Sequence, residues 1–262
     1  MKLATLMPGS NQIELGHSQI WKGHVYTSDG NTCPAYTKLI DERTLSIELV
    51  CAIIGRKLSL PIPQPFLVRV PTQTIATVTS EEIAFGLEAV NYPSISSTIR
   101  EDRFIREAVL KWDHITRCAA FDTWIGNSDR IPHNLLFDGK NNFQMIDHGD
   151  ALPSYMSVET PTHNKLLQYL KEENTGEFAR QSVLKALLQE AEKFHNVNLA
   201  DIHSRVVNSN RSIAPETVER ILNILHSRLN YLSDIYKTQL DIRQRDFIYD
   251  TQREKPEKKD SL

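Results

Sequence analysis

Asp129, Asn134 and Asp147 fall within the run FDTWIGNSDRIPHNLLFDGKNNFQMIDHG, residues 121–149, and could together serve phosphoryl transfer. That reaction needs an acid beside the attacking hydroxyl, an amide oxygen on a metal ion, and a carboxylate between metal and phosphates. Asp129 and Asn134 stand five positions apart, so one compact loop can present the acid and turn the amide back toward a metal. Taken alone, the spacing has a local explanation: Asn, Ser, Asp and Pro make turns through their own side-chain hydrogen bonds. Asp147 strengthens the chemical reading. It follows the apolar run Phe143–Ile146 and precedes His148-Gly149, where a carboxylate would leave a buried strand for a cleft. An ordinary strand-end turn has the same outline, but an upstream loop, a hairpin and a second acid in one block make coincidence a poor account.

A phosphate-bearing substrate also needs a cation. Lys38 lies on the strand candidate CPAYTKLI, 33–40, just ahead of a helical pattern, and lysine offers a compact charge on a flexible stem. By itself it would read as a solvated strand lysine. Glu48, ten positions on, sits on the following helix and could pair with it, with Glu42 as a competitor. The polar turn 28–32 could cover phosphates through its backbone N–H groups, although an ordinary surface turn is the better reading. Arg130 could neutralise a carboxylate or a phosphate, and a structural ion pair serves equally well. His24, His114, His163 and His195 lack partners at metal-ligand spacing, so solvated or capping roles are expected.

The block 122–149 resembles the HipA-like kinases, whose catalytic segment reads approximately D-x-x-I-G-N-x-D-R-H-x-x-N-x-L followed by I-D-h-G. Asp122, Ile125-Gly126-Asn127, Asp129-Arg130, Asn134, Leu136 and Ile146-Asp147-Gly149 fit that pattern. Ile131 stands where the family has histidine, which puts the hydrogen bonding of the loop in question, and His133 lies two residues beyond. The resemblance implies an α+β, two-lobed protein-kinase-like fold with ATP and Mg2+ as cofactors. It implies Asp129 as the catalytic acid–base, Asn134 and Asp147 as metal ligands, and Lys38 with Glu48 at the phosphates. By order along the chain, Glu88 and Ala89 fall where a kinase hinge meets adenine. The implied division is 1–92 as a β-rich N-lobe with one helix, 93–246 as a helical C-lobe, and 247–262 as a disordered tail. A serine or threonine of a protein is the expected acceptor, and an antitoxin or regulatory protein a candidate partner. The chain is expected to lack an additional N-terminal region of full-length members. Phosphoinositide lipid kinases share D-R-H-x-x-N and a later D-x-G, so a small-molecule or lipid kinase stays an alternative, as does an ATP-binding pseudokinase adaptor.

The elements that must position these residues follow from periodicity. Leu45, Leu49, Ala52 and Ile53 recur at helical spacing across 41–57, and Gly55 or Pro61-Ile62-Pro63 ends the run. Strands are expected at 65–70, 74–78 and 82–90, while residues 1–32 read as mixed and turn-rich. A single long helix is expected from about 102 to 124. Asn134–Phe137 and Phe143–Ile146 flank Asp138-Gly139 as a hairpin with a long loop. Helices are expected over about 164–172, 177–195 and 214–240. At 262 residues, 40% of them apolar, the chain can bury a large core. A net charge of −3 argues against nonspecific nucleic-acid or anionic-membrane binding. Cys33, Cys51 and Cys118 lack paired metal spacing and read as reduced thiols, and with neither a membrane span nor a leader in sight the expected location is cytoplasmic.

Overall fold

The structure, a computed structural model, describes residues 1–15, 18–154, 156–210 and 212–242. The expected tail, 247–262, lies outside them. The chain opens with strands β1 (Lys2–Leu6), β2 (Asn11–Leu15), β3 (Ser18–Thr27) and β4 (Thr32–Leu39), then helix α1 (Glu42–Lys57), β5 (Pro65–Val70) and β6 (Glu82–Glu88). The sheet runs β1-β5-β6-β4-β3-β2, and β1 also pairs with β3. This second pairing joins β1, β5, β6, β4 and β3 into a closed barrel, with β2 as an outer addition. Closure removes the free edges that open sheets must protect.

The barrel interior follows the two-residue side-chain alternation of strands. Phe66, Val68 and Val70 point inward to meet Ala4, Leu6, Trp21, Val25, Ala35 and Ala84, whereas Leu67 faces α1. Two expectations fail here. Residues 1–32 carry three strands: β2 and β3 pair as sequence neighbours and β3 pairs on with β4, whereas β1 finds its parallel partner β5 far along the chain. Residues 74–78 form turns instead of a strand, with Gln73 N–H donating to Val78 O and Val78 N–H to Ile75 O. Ile75 and Val78 are three apart, so both can plug the barrel core only from a turn, since in a strand they would face opposite ways.

Helix α1 starts where Asp41 caps it, accepting the Thr44 N–H at 3.0 Å and the Thr44 hydroxyl at 2.6 Å. Every residue from Leu45 to Gly55 is buried, because the sheet covers one side and later helices cover the other. Those helices are α2 (Ile95–Thr98), α3 (Asp102–Leu110), α4 (Ile115–Trp124), α5 (Lys165–Glu173), α6 (Glu177–Glu192), α7 (Leu199–Val207), α8 (Pro215–Arg228) and α9 (Leu232–Gln239). The expected long helix 102–124 is thus two, broken at 111–114. Val109, Trp112, Ile115 and Cys118 are spaced by threes, tighter than the 3.6-residue turn, and the break lets buried Trp112 pack against Phe143 with ring centroids 5.0 Å apart and planes tilted by 39°. Helix α7 was not expected, although Asn198 caps it and Ile202 and Val206 form its buried stripe. Strands β7 (Leu135–Phe137) and β8 (Phe143–Met145) make the expected hairpin, its loop tied by Asp138 to Lys140 N–H and Asn142 N–H. One apolar core runs from α1 through α9, distinct from the barrel core. No described helix is long and apolar enough to cross a membrane.

Candidate active site

Alternation along β4 sends Ala35 and Thr37 toward the barrel interior and Lys38 to the α1 side. There Lys38 Nζ lies 2.9 Å from Asp147 Oδ1 and 3.5 Å from Glu48 Oε1. Burial pulls the ammonium pKa down, but the two carboxylates outweigh it, and the group stands above the ordinary lysine value. The competitor Glu42 accepts the Ala214 N–H instead. The second oxygen of Glu48 accepts the His148 N–H at 2.9 Å, so this buried carboxylate ties the strand lysine to the residue after Asp147.

Asp129 and Asn134 meet directly. Asn134 Nδ2 donates to the Asp129 carboxylate at 2.9 Å and to the Asp129 carbonyl at 2.7 Å, leaving Asn134 Oδ1 with no hydrogen bond among the described residues. The loop that carries them leaves α4 at Gly126, whose φ of +62° and contact with Met156 suit a residue without a side chain. Arg130 then organises the loop from beneath. It is fully buried and bidentate to Asp122 of α4, at 3.0 and 3.1 Å, and it donates to the carbonyls of Asn134 and Ile146. The Ile146 N–H also donates to Asn134 O at 3.1 Å, so the arm bearing Asp129 and Asn134 is fastened to the arm bearing Asp147. Asp147 sits at φ +58°, a strained conformation for a non-glycine that turns its carboxylate toward Lys38.

Burial raises the Asp129 pKa, and Asp150 and Asp147 push it the same way against the Asn134 hydrogen bond. A cluster of acids faced chiefly by Lys38 is suited to a divalent cation. Among the described residues Asp147 Oδ2 accepts no hydrogen bond, and with Asn134 Oδ1 it supplies hard oxygen donors. Among the described residues no group of three His, Cys, Asp or Glu could hold a metal alone. Magnesium fits that economy, because it takes one or two protein ligands and completes its shell with phosphates and water.

Other expected positions fall elsewhere. Glu88 N–H donates to Gln64 O and Ala89 N–H to Pro34 O, both at 2.9 Å, so these two donors are already engaged and not open to an adenine. The turn 28–31 is at the far end of β3 and β4 from Lys38, which pairs with Ile20, and Asp29 there binds Lys2 and Thr27. Ile131 is 41% exposed, and its neighbour Arg130 carries the hydrogen bonds that tie the loop down. The sequence reading passed over Asp150 and His148, although both stand within three residues of Asp147. His148 is buried, packs edge-on against Phe121, and has no hydrogen bond at either ring nitrogen.

Burial, with Arg130 nearby, holds the His148 ring neutral, its pKa pushed down to about 3 from 6.5. A depressed histidine pKa gives stability that is full above the unfolded value and lost as pH falls below it. Relative to the His148→Phe variant, wild type should lose about 2 kcal/mol between pH 7 and pH 5, read by urea unfolding at each pH.

No curated protein matches the chain. The crystal structure of a proinflammatory kinase of Helicobacter pylori, CtkA, superposes with a TM-score of 0.50 at 15% identity, covering 84% of this chain and 94% of that one. That likeness shows a shared kinase fold. The profile of the HipA-like kinases matches residues 16–233, most of the sequence and all of the site above, and the chain belongs to that family.

Proposed function

We propose that the chain is a serine/threonine protein kinase that uses ATP with Mg2+ in a cleft between an N-lobe of 1–92 and a C-lobe of 93–246. The observation that carries this reading is the linkage of two hydrogen-bonded pairs. Lys38 with Asp147, and Asp129 with Asn134, are held to one another by Arg130 and by Ile146 N–H on Asn134 O.

In this reading Asp129 orients the acceptor hydroxyl and takes its proton, and the Asn134 amide fixes the carboxylate that does so. Lys38 exchanges its contact with Asp147 for phosphate oxygens, and Glu48 keeps its ammonium in place. Asn134 Oδ1 and Asp147 would hold Mg2+, which when bound would offset the charge of the phosphates. The rest of the rate comes from alignment within a rigid loop. An antitoxin or regulatory protein as partner is carried by family membership alone.

The test is transfer of label from γ-labelled ATP. Label should appear on serine or threonine of protein acceptors, and Asp147→Ala should abolish it. Label confined to soluble alcohols would overturn the protein-kinase reading in favour of a small-molecule kinase.

A further inference from the structure

The loop between α4 and β7 turns its side chains alternately in and out, which puts an apolar group beside the acceptor acid. Arg130 is fully buried, while its two neighbours reach outward: Asp129 is half-buried and Ile131 exposed. The Ile131 N–H donates to Asp129 O at 2.8 Å, a three-residue turn that draws positions 129 and 131 together around Arg130. Ile131 therefore stands next to any hydroxyl that Asp129 addresses.

The side chain is also held in place. Its carbonyl accepts the Asn134 N–H at 2.9 Å, so both main-chain groups of Ile131 are engaged within the loop. Pro132 confines the residue before it to extended backbone, and Ile131 has φ −80° and ψ 165°. Branching at Cβ leaves the side chain few rotamers. A stiff apolar group is thus kept in water next to Asp129, whose other close charges include Asp147 and Asp150. The other large apolar side chains exposed among the described residues are Leu3, Tyr26, Phe104, Phe178 and Tyr231. They lie on β1, β3, α3, α6 and the junction of α8 with α9, none of them on the catalytic loop. A group already fixed in position loses little conformational freedom when a partner covers it.

We propose that Ile131 selects the acceptor: an apolar side chain close in sequence to the phosphorylated serine or threonine packs on Ile131 while Asp129 holds the hydroxyl. The occupant is an extended protein segment with a leucine-like residue within three positions of its acceptor. This specificity rests on the function proposed above, which supplies the hydroxyl at Asp129.

The probes are capped alanine-rich peptides with one serine acceptor and leucine, alanine or lysine at each flanking position in turn. With γ-labelled ATP and Mg2+, leucine at one flanking position should raise kcat/KM about tenfold over alanine there. Ile131→Glu should erase that ratio and favour lysine at the same position. Each ratio is taken on a single preparation, so a fall in the amount of folded enzyme cannot imitate the reversal. Transfer to serine with no preference for leucine anywhere overturns the proposal and leaves the kinase reading intact. A preference of the wild type for lysine would assign recognition to Asp150 and overturn it as well. The same peptides with alanine in place of the acceptor serine report binding without chemistry. In the presence of ADP and Mg2+, fluorescence anisotropy should show the leucine peptide bound about tenfold more tightly than its alanine counterpart. Equal binding of the two sinks the proposal whether or not the chain transfers phosphate.

Discussion

Asp129→Asn should lower kcat by about 10²- to 10⁴-fold and leave the KM for ATP within about twofold. The substitution is nearly isosteric, and Asn134 Nδ2 can still donate to the new amide oxygen and to the residue 129 carbonyl. Arg130 donates no hydrogen bond to the 129 side chain, so its grip on Asn134 O and Ile146 O survives. What disappears is the carboxylate proposed to accept the hydroxyl proton, and with it one of the charges that repel one another around Asp147 and Asp150. The melting temperature should hold or rise. Steady-state kinetics with wild-type turnover in this variant would remove Asp129 from the chemistry, whatever the family pattern says.

Asp122→Ala should be the most destabilising single change near the site, costing about 3–5 kcal/mol. It leaves Arg130 buried without its counter-charge, in surroundings where its other acceptors are main-chain carbonyls. At about 2–4 °C per kcal/mol for a chain of this size, the melting temperature should fall by about 10 °C or more. Activity should fall as well, because the two arms of the site share this one guanidinium. The double change Asp122→Leu with Arg130→Met separates the effects. Matched apolar side chains can restore stability, whereas activity should stay low because the guanidinium bridge between Asn134 O and Ile146 O is gone and only the Ile146 N–H bond to Asn134 O still joins the arms. Recovery of both would show the pair to be ordinary packing.

The site was more legible than the scaffold around it, and the reason is range. Asp129, Asn134 and Asp147 lie on one short loop and one hairpin, where spacing along the chain nearly fixes spacing in space. Lys38 and Glu48 come from a strand and the next helix, and one strand alternation and a few helical turns bring them together. Strand β1 carries no comparable signal. Its partner β5 begins some sixty residues on, and only the barrel's closure makes Lys2–Leu6 a strand. The turn 71–81 misled because Ile75 and Val78 have strand composition but a spacing of three. Gly126, Arg130 and Asp122 were visible as a motif. That the arginine is a buried clamp shared by both arms could be seen only once Ile146 O and Asn134 O had been placed.

The continuous burial of Leu45–Gly55 has a consequence for how this kinase can be controlled and dissected. Helix α1 belongs to two neighbourhoods at once, since β5 and β6 clothe one flank and α7 and α8 the other. A helix so enclosed cannot swing outward to uncouple Glu48 from Lys38 without exposing apolar side chains on both flanks. Control through that helix would therefore be expensive, and a fragment ending at β6 would carry α1 with half of its oily surface bare to water.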